Sequence, residues 1–133
     1  MLQHPTKPLR HVIITGGAGF IGSQLSARLI KGKTRVTILT RNPSASRATS
    51  LAQQGCKVVA CDLADEQRIP QPDILDPADA MFHFAADVSV SSPTLRAANV
   101  DGTSRALALA DALAIPYVVY ASSIEAQGLG SDH

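Results

Sequence analysis

His11-Val12-Ile13-Ile14-Thr15 runs without a break into Gly16-Gly17-Ala18-Gly19-Phe20-Ile21-Gly22. The consecutive β-branched residues Val12, Ile13 and Ile14 predict a strand covered on both faces, as in a parallel sheet. The glycines that follow fall as Gly16-x-x-Gly19-x-x-Gly22. Gly16 allows a sharp turn off the strand, because glycine tolerates positive φ. Gly19 leaves bare backbone that a ligand can approach, and Gly22 lets a helix pack tightly on the sheet. That helix is expected from about Phe20 to Lys31, with Ile21, Leu25 and Leu29 as its apolar face and Gly32 as its stop. Its N-terminus offers free N–H groups and partial positive charge, which suit the phosphates of a dinucleotide. A glycine triplet alone also makes an ordinary tight turn. The strand before it and the helix after it favour the phosphate-binding reading.

Downstream, strands and helices keep alternating. Arg35 to Thr40 is the second predicted strand. Asn42-Pro43-Ser44 opens a helix carrying Ala48, Leu51 and Ala52, which ends at Gly55. Lys57 to Cys61 is the third strand. Asp62 to Asp79 holds Pro70, Pro72 and Pro77, so no long helix is expected there. Ala80 to Ala85 is the fourth strand. Ser92-Pro93 caps a helix running to about Ala114, with Leu95, Ala98, Ala106, Leu109 or Ala110, and Leu113 inside. Tyr117 to Ser122 is the fifth strand. The alternation predicts right-handed crossovers and an α/β, doubly wound parallel sheet with strand order 3-2-1-4-5. The chain is expected to be a single domain over residues 1–133, with residues 1–10 a flexible N-terminus and 124–133 a loose tail.

The totals set outer limits. At 133 residues and 45% hydrophobic the chain suits one folded domain, and a net charge of +1 gives no reason to expect nucleic acid as a partner. Cys56 and Cys61 lie at the two ends of the third strand with no ligand cluster beside them. They read as reduced, partly buried thiols of a cytoplasmic protein rather than as a metal site or disulfide. The longest apolar stretch, Ala106 to Ala121, is broken by Asp111 and Pro116, so no membrane span is expected.

The glycine segment and four later ones together resemble the extended short-chain dehydrogenase/reductases, the NAD-dependent epimerase/dehydratase group. Thr15 to Gly22 is similar to that family's fingerprint. Cys61-Asp62-Leu63 resembles its adenine contact. His83-Phe84-Ala85-Ala86 resembles the strand end beside the cofactor. Asn99-Val100-Asp101-Gly102-Thr103 resembles its Asn-x-x-Gly-Thr helix motif. Ala121-Ser122-Ser123, with Gly128 following, resembles the segment that holds the catalytic serine. The likeness runs from about Val12 to Gly128 and implies a Rossmann-like fold that is expected to be incomplete. Taken one at a time, each segment has a plainer reading. Asp62 can simply cap the next turn, and a lone histidine such as His83 on an apolar strand suits a core residue better than a catalyst. Asn99 can be a solvent-facing helix residue, and Ser122 and Ser123 ordinary polar groups at a strand end. The order of the five is what argues against coincidence.

The resemblance implies that Gly16, Gly19, Phe20, Ile21 and Gly22 take the pyrophosphate. It implies Asp62 and Leu63 at the adenine, with Ala85, Ala86, Asn99 and Ser122 lining the cofactor cleft, and Ser123 at the substrate. The acid that normally accepts the adenosine ribose is expected about twenty residues past the glycines. Thr40 and Arg41 stand there instead, and no Asp or Glu occurs between Gly22 and Gln54. Arg41 can pair with a 2′-phosphate, so NADP is expected over NAD.

The family's proton transfer uses a Tyr-x-x-x-Lys pair after the fifth strand. Tyr117 and Tyr120 lie within that strand and the last lysine is Lys57, so this chain shows the serine without its partners. Gln127 also replaces a tyrosine usual just before the glycine. The expectation is the NAD(P)-binding portion of a longer epimerase, dehydratase or reductase that moves hydride to or from nicotinamide on a small-molecule substrate. The alternative is a short, non-catalytic NADP-binding regulatory or partner-binding module. An apolar fifth strand left at a sheet edge predicts self-association or a homodimer.

Overall fold

The computed structural model describes residues 7–86, 93 and 95–122. Its centre is β1 (His11–Thr15), buried at all five positions. β2 (Arg35–Thr40) and β4 (Ala80–His83) flank β1, β3 (Lys57–Ala60) lies beyond β2, and β5 (Tyr117–Tyr120) lies beyond β4. All pairings are parallel and the order is 3-2-1-4-5, as the alternation predicts.

The alternating side chains of β1 feed two separate cores. Ile13 joins Leu39, Met81, Leu63 and Leu75 beneath α3 (Gly102–Ala112), through Ala106, Leu109 and Ala110. Val12 and Ile14 join Val36, Ile38 and Ala80 on the other face. That face is covered by α1 (Phe20–Lys31) and α2 (Ser46–Gln53) through Leu25, Leu29 and Leu51. Each fully buried valine or isoleucine contributes about 1.5–3 kcal/mol of transfer free energy, so the β1 triplet is the anchor of both layers.

Hydrogen bonds fix where β1 begins. One Asp79 carboxylate oxygen accepts from the amides of Arg10 (2.7 Å) and His11 (3.0 Å). Those two bonds hold its carboxyl below the usual carboxylate range. The His11 ring spans Pro77 O (2.7 Å) and Thr37 Oγ1 (2.8 Å). Leu9 packs against the second core, and the Arg10 carbonyl accepts from the Arg35 amide at 2.9 Å. The chain is therefore held from Leu9 onward, inside the stretch expected to be flexible; residues 1–6 and the expected tail at 124–133 lie outside the described residues.

Several local expectations are corrected. Ile21 is 61% exposed and does not belong to the inner face of α1. Gly22 and Ser26 occupy that face instead, because the glycine must seat against the turn, and this rotation carries Ile21 outward. The Ser26 hydroxyl is satisfied by donating to Gly22 O at 2.7 Å. α2 starts at Ser46 rather than Asn42, since Asn42 Oδ1 accepts from the Ser44 amide (3.2 Å) and makes an Asx turn first. Ala52 is exposed. Strands β3, β4 and β5 each end one or two residues earlier than expected, at Ala60, His83 and Tyr120.

Two short 3₁₀ turns, Glu66–Arg68 and Pro72–Ile74, fill the proline-rich stretch. The expected cap Ser92 is outside the described residues. From Leu95 the chain is helical, but Ala97–Asp101 is a π segment before regular α3 begins. Among the described residues no helix is long and apolar enough to cross a membrane.

Candidate functional site

The turn after β1 has the backbone its sequence asks for. Gly16 has φ +66°, and its amide donates to Leu39 O at 3.1 Å. The Gly19 amide donates to Gly16 O at 3.0 Å, closing the turn, and the first helical bond runs from Ser23 N to Gly19 O at 2.9 Å. The amides of Phe20, Ile21 and Gly22 thus precede the helical ladder. No side chain caps this end and no acid lies in its first turn, so its positive pole is left for a ligand.

Close packing explains the other glycines. A Cβ on Gly22 would collide with the Gly16 carbonyl oxygen. Gly17, which the triplet spacing passes over, is equally constrained, because a Cβ there would run into the Ile38 side chain.

A cleft of about 330 Å³ opens over the carboxyl ends of β1 to β4, where ligands bind in open α/β sheets. Gly16 and Gly19 form one wall, Arg41 and Asn42 follow β2, Asp62 and Leu63 follow β3, and Ala85 and Ala86 follow β4. Seven of the residues singled out from sequence (Gly16, Gly19, Arg41, Asp62, Leu63, Ala85 and Ala86) therefore line one cavity.

The others are placed differently. Phe20 (71% exposed) and Ile21 stand at the mouth of the turn, and Gly22 is buried behind it. Asn99 is half-buried in the π segment, where the neighbouring Ala98 supplies the lining. Ser122 follows β5, is exposed and does not line the cleft. Ser123 lies outside the described residues. Lining residues that spacing did not single out include Thr40, Asn42, Ala45 and Ala98. The Asn-Pro turn after β2 was the available signal for Asn42.

Asp62 both caps and lines. One carboxylate oxygen accepts from the Ala64 amide (3.0 Å), and the other lies 3.8 Å from Arg68 Nη1. A second cleft of about 320 Å³ shares Arg41 and Asp62 with the first and adds Arg68. Cys61 borders both clefts as a free thiol. Burial, then the Asp62 charge, push its pKa up to about 11.

His83, at the end of β4, is 2% exposed, and burial lowers its pKa. Its Nδ1 lies 2.6 Å from Thr15 Oγ1 and its Nε2 3.0 Å from Thr103 Oγ1. The ring stacks on Tyr120 with centroids 5.6 Å apart. It is a satisfied core histidine, as its position on an apolar strand suggested.

Residues 12–132 match the model of the NAD dependent epimerase/dehydratase family. A probable UDP-arabinose 4-epimerase 3 from Oryza sativa subsp. japonica is 32% identical over 130 residues, covering 89% of this chain and 32% of the relative. A putative dihydroflavonol 4-reductase from Synechocystis sp. is 33% identical over 122 residues, covering 90% of this chain and 34% of the relative. Among solved structures, a UDP-glucose-4-epimerase from Stenotrophomonas maltophila with bound NAD and formylated UDP-arabinopyranose superposes with a TM-score of 0.75. Its identity is 26%, over 93% of this chain and 40% of that one. An ADP-L-glycero-D-manno-heptose-6-epimerase from Helicobacter pylori gives a TM-score of 0.73 at 28% identity, over 90% of this chain and 41% of that one. The chain spans about a third of the length of the curated relatives it matches. Its order of elements, its glycine turn and the cleft beside that turn agree with the match, and this chain belongs to the NAD-dependent epimerase/dehydratase family.

Proposed function

We propose that this chain supplies the cofactor-binding portion of an extended short-chain dehydrogenase-type enzyme, and that it takes NADP in preference to NAD. The observation that carries the reading is that one cleft joins the uncapped end of α1 to the residues after β2, β3 and β4. A dinucleotide fits what is there. The Phe20 to Gly22 amides meet the pyrophosphate, and bare backbone at Gly19 permits close approach. Asp62 and Leu63 border the adenosine end.

The preference for a 2′-phosphate rests on Arg41, on the absence of an acid after β2, and on Arg68 in the adjoining cleft. A guanidinium offers phosphate a planar pair of donors. When bound, the nicotinamide supplies or accepts hydride at carbon. The residues of this chain bind it, orient it and close one side of its cleft. The substrate is a small molecule with a carbinol or ketone carbon, and Ser123 matches in sequence the family serine assigned to the substrate oxygen. The enzyme works in the cytoplasm, where Cys56 and Cys61 remain thiols.

Titration calorimetry of the 133-residue chain tests the reading. NADPH should bind more tightly than NADH. The reverse order removes the cofactor preference, and no heat with either removes the binding role.

A further inference from the structure

We propose that His83 is a positioning residue for the cofactor, locked as its Nε2–H tautomer between Thr15 and Thr103, and that it sets the backbone at Ala85. This rests on the dinucleotide reading of the same cleft.

The proton positions follow from hydrogen-bond arithmetic. The Thr103 hydroxyl has one proton and donates it to Asn99 O at 2.7 Å. Toward His83 it can therefore only accept, and Nε2, 3.0 Å away, must carry a proton. A neutral imidazole has one N–H, so Nδ1 is bare and receives the Thr15 hydroxyl proton across 2.6 Å. Thr15 Oγ1 then has two lone pairs left. The Ala85 amide donates to one at 3.2 Å, and the Phe84 amide, shared with Thr15 O at 3.1 Å, reaches the other at 3.2 Å.

The chain of donors runs one way without a gap, from the Ala85 amide through Thr15, His83 and Thr103 to the Asn99 carbonyl. Among the described residues no buried side-chain polar atom is left unpaired. The opposite tautomer would point Nδ1–H at an oxygen that already accepts from the Ala85 amide and shares the Phe84 amide, and would leave two acceptors facing each other at Nε2.

Position matters because both ends reach the cleft. Ala85 lines it and packs directly on Gly16. Asn99 belongs to the π segment whose Ala98 also lines the cleft. His83 is not among the residues that line the cleft; it ties the ends of β1 and β4 to the π segment through the Thr15 and Thr103 hydroxyls and is stacked on Tyr120 from β5.

The test uses an isosteric and a conservative variant of Thr103 in the full chain. Nitrogen-15 NMR of histidine-labelled protein should show His83 with a protonated Nε2 and a bare Nδ1 at neutral pH. A protonated Nδ1 overturns the proposal. Thr103→Val removes the acceptor for Nε2–H without changing shape. It should speed hydrogen exchange at the Ala85 amide and weaken dinucleotide binding about tenfold, the loss of about one net hydrogen bond. Thr103→Ser should restore both. A folded Thr103→Val protein with wild-type exchange at Ala85 overturns the positioning role. If the wild-type chain binds no dinucleotide, the functional reading fails by itself. The tautomer and the exchange at Ala85 still decide whether the relay exists.

Discussion

The backbone of Ala85 crosses the place where Gly16 would carry a side chain: a Cβ on Gly16 would stand 2.7 Å from the Ala85 amide nitrogen. Residues just past the ends of two neighbouring strands thus pack against each other in the wall of the cleft. With φ at +66°, Gly16→Ala combines a left-handed backbone with a backbone collision. We expect it to cost about 1–3 kcal/mol of stability and to abolish measurable dinucleotide binding. Urea denaturation and calorimetry read the two effects, and wild-type affinity in the variant would remove the close-approach argument.

Arg41 makes the sharpest prediction about cofactor choice. Arg41→Ala should weaken NADPH binding by about tenfold and leave NADH unchanged, the scale of one partly exposed charged hydrogen bond. Arg68→Ala should move NADPH affinity in the same direction by less, because Arg68 also faces Asp62. Equal effects of Arg41→Ala on both cofactors would count against a phosphate contact.

Burial depresses the His83 pKa below 6.5 in the folded chain. The groups packed on its ring are Thr15 from β1, Thr103 from α3 and Tyr120 from β5. Well above pH 6.5 the imidazole is neutral whether the chain is folded or not. As pH falls from there, the unfolded chain takes up the proton first, so stability declines until the folded value is passed. Denaturation midpoints between pH 7 and pH 5 should show this slope, and His83→Asn should flatten it.

The cysteines titrate with the opposite sign. Burial raises both thiols from 9.0 to about 11. Their contribution to stability is complete below pH 9 and is lost as pH rises through about 11. Neither should react with iodoacetamide at pH 8 unless the chain is unfolded. Rapid labelling of native protein would show that the sheet opens at β3.

At the other edge, Val118, Val119 and Tyr120 on β5 are 37%, 46% and 56% exposed. We propose that the 133-residue chain self-associates through this edge at high concentration. Sedimentation should show mass rising with concentration for the wild type and a monomer for Val119→Lys. A wild-type monomer throughout would count against the edge as an interface.

Sequence pattern carried most of the architecture because β1 and the glycine turn are governed by local rules. Three buried β-branched residues name a central parallel strand, and Gly16 can adopt a backbone few residues share. The inner face of α1 was not legible from apolar spacing. Close contact of Gly22 with the turn rotates the helix, and Ser26, a polar residue, is buried as a result. The π segment before α3 was also hidden. It ends at Gly102, which lies against Leu63: a Cβ on Gly102 would stand 3.3 Å from Leu63 Cβ, a contact between distant parts of the chain. Arg41, Asp62 and Ala85 could be read from where they follow strands. The Thr15–His83–Thr103 link could not, since it joins three elements through side-chain directions that no periodicity encodes.

The order 3-2-1-4-5 also bears on how the protein assembles. β1, β2 and β3 pair with neighbours near in sequence, so they can form while the chain is still emerging. β4 must return to β1 across a long loop, and Thr15 meets His83 over a separation of 68 residues. Closing that loop is an entropic cost met before its contacts reward it. The first three strands should gain amide protection early, and β4 and β5 later. The cleft needs Ala85 in place, so a refolding chain acquires its ligand site in the last step rather than with the glycine turn that announces it.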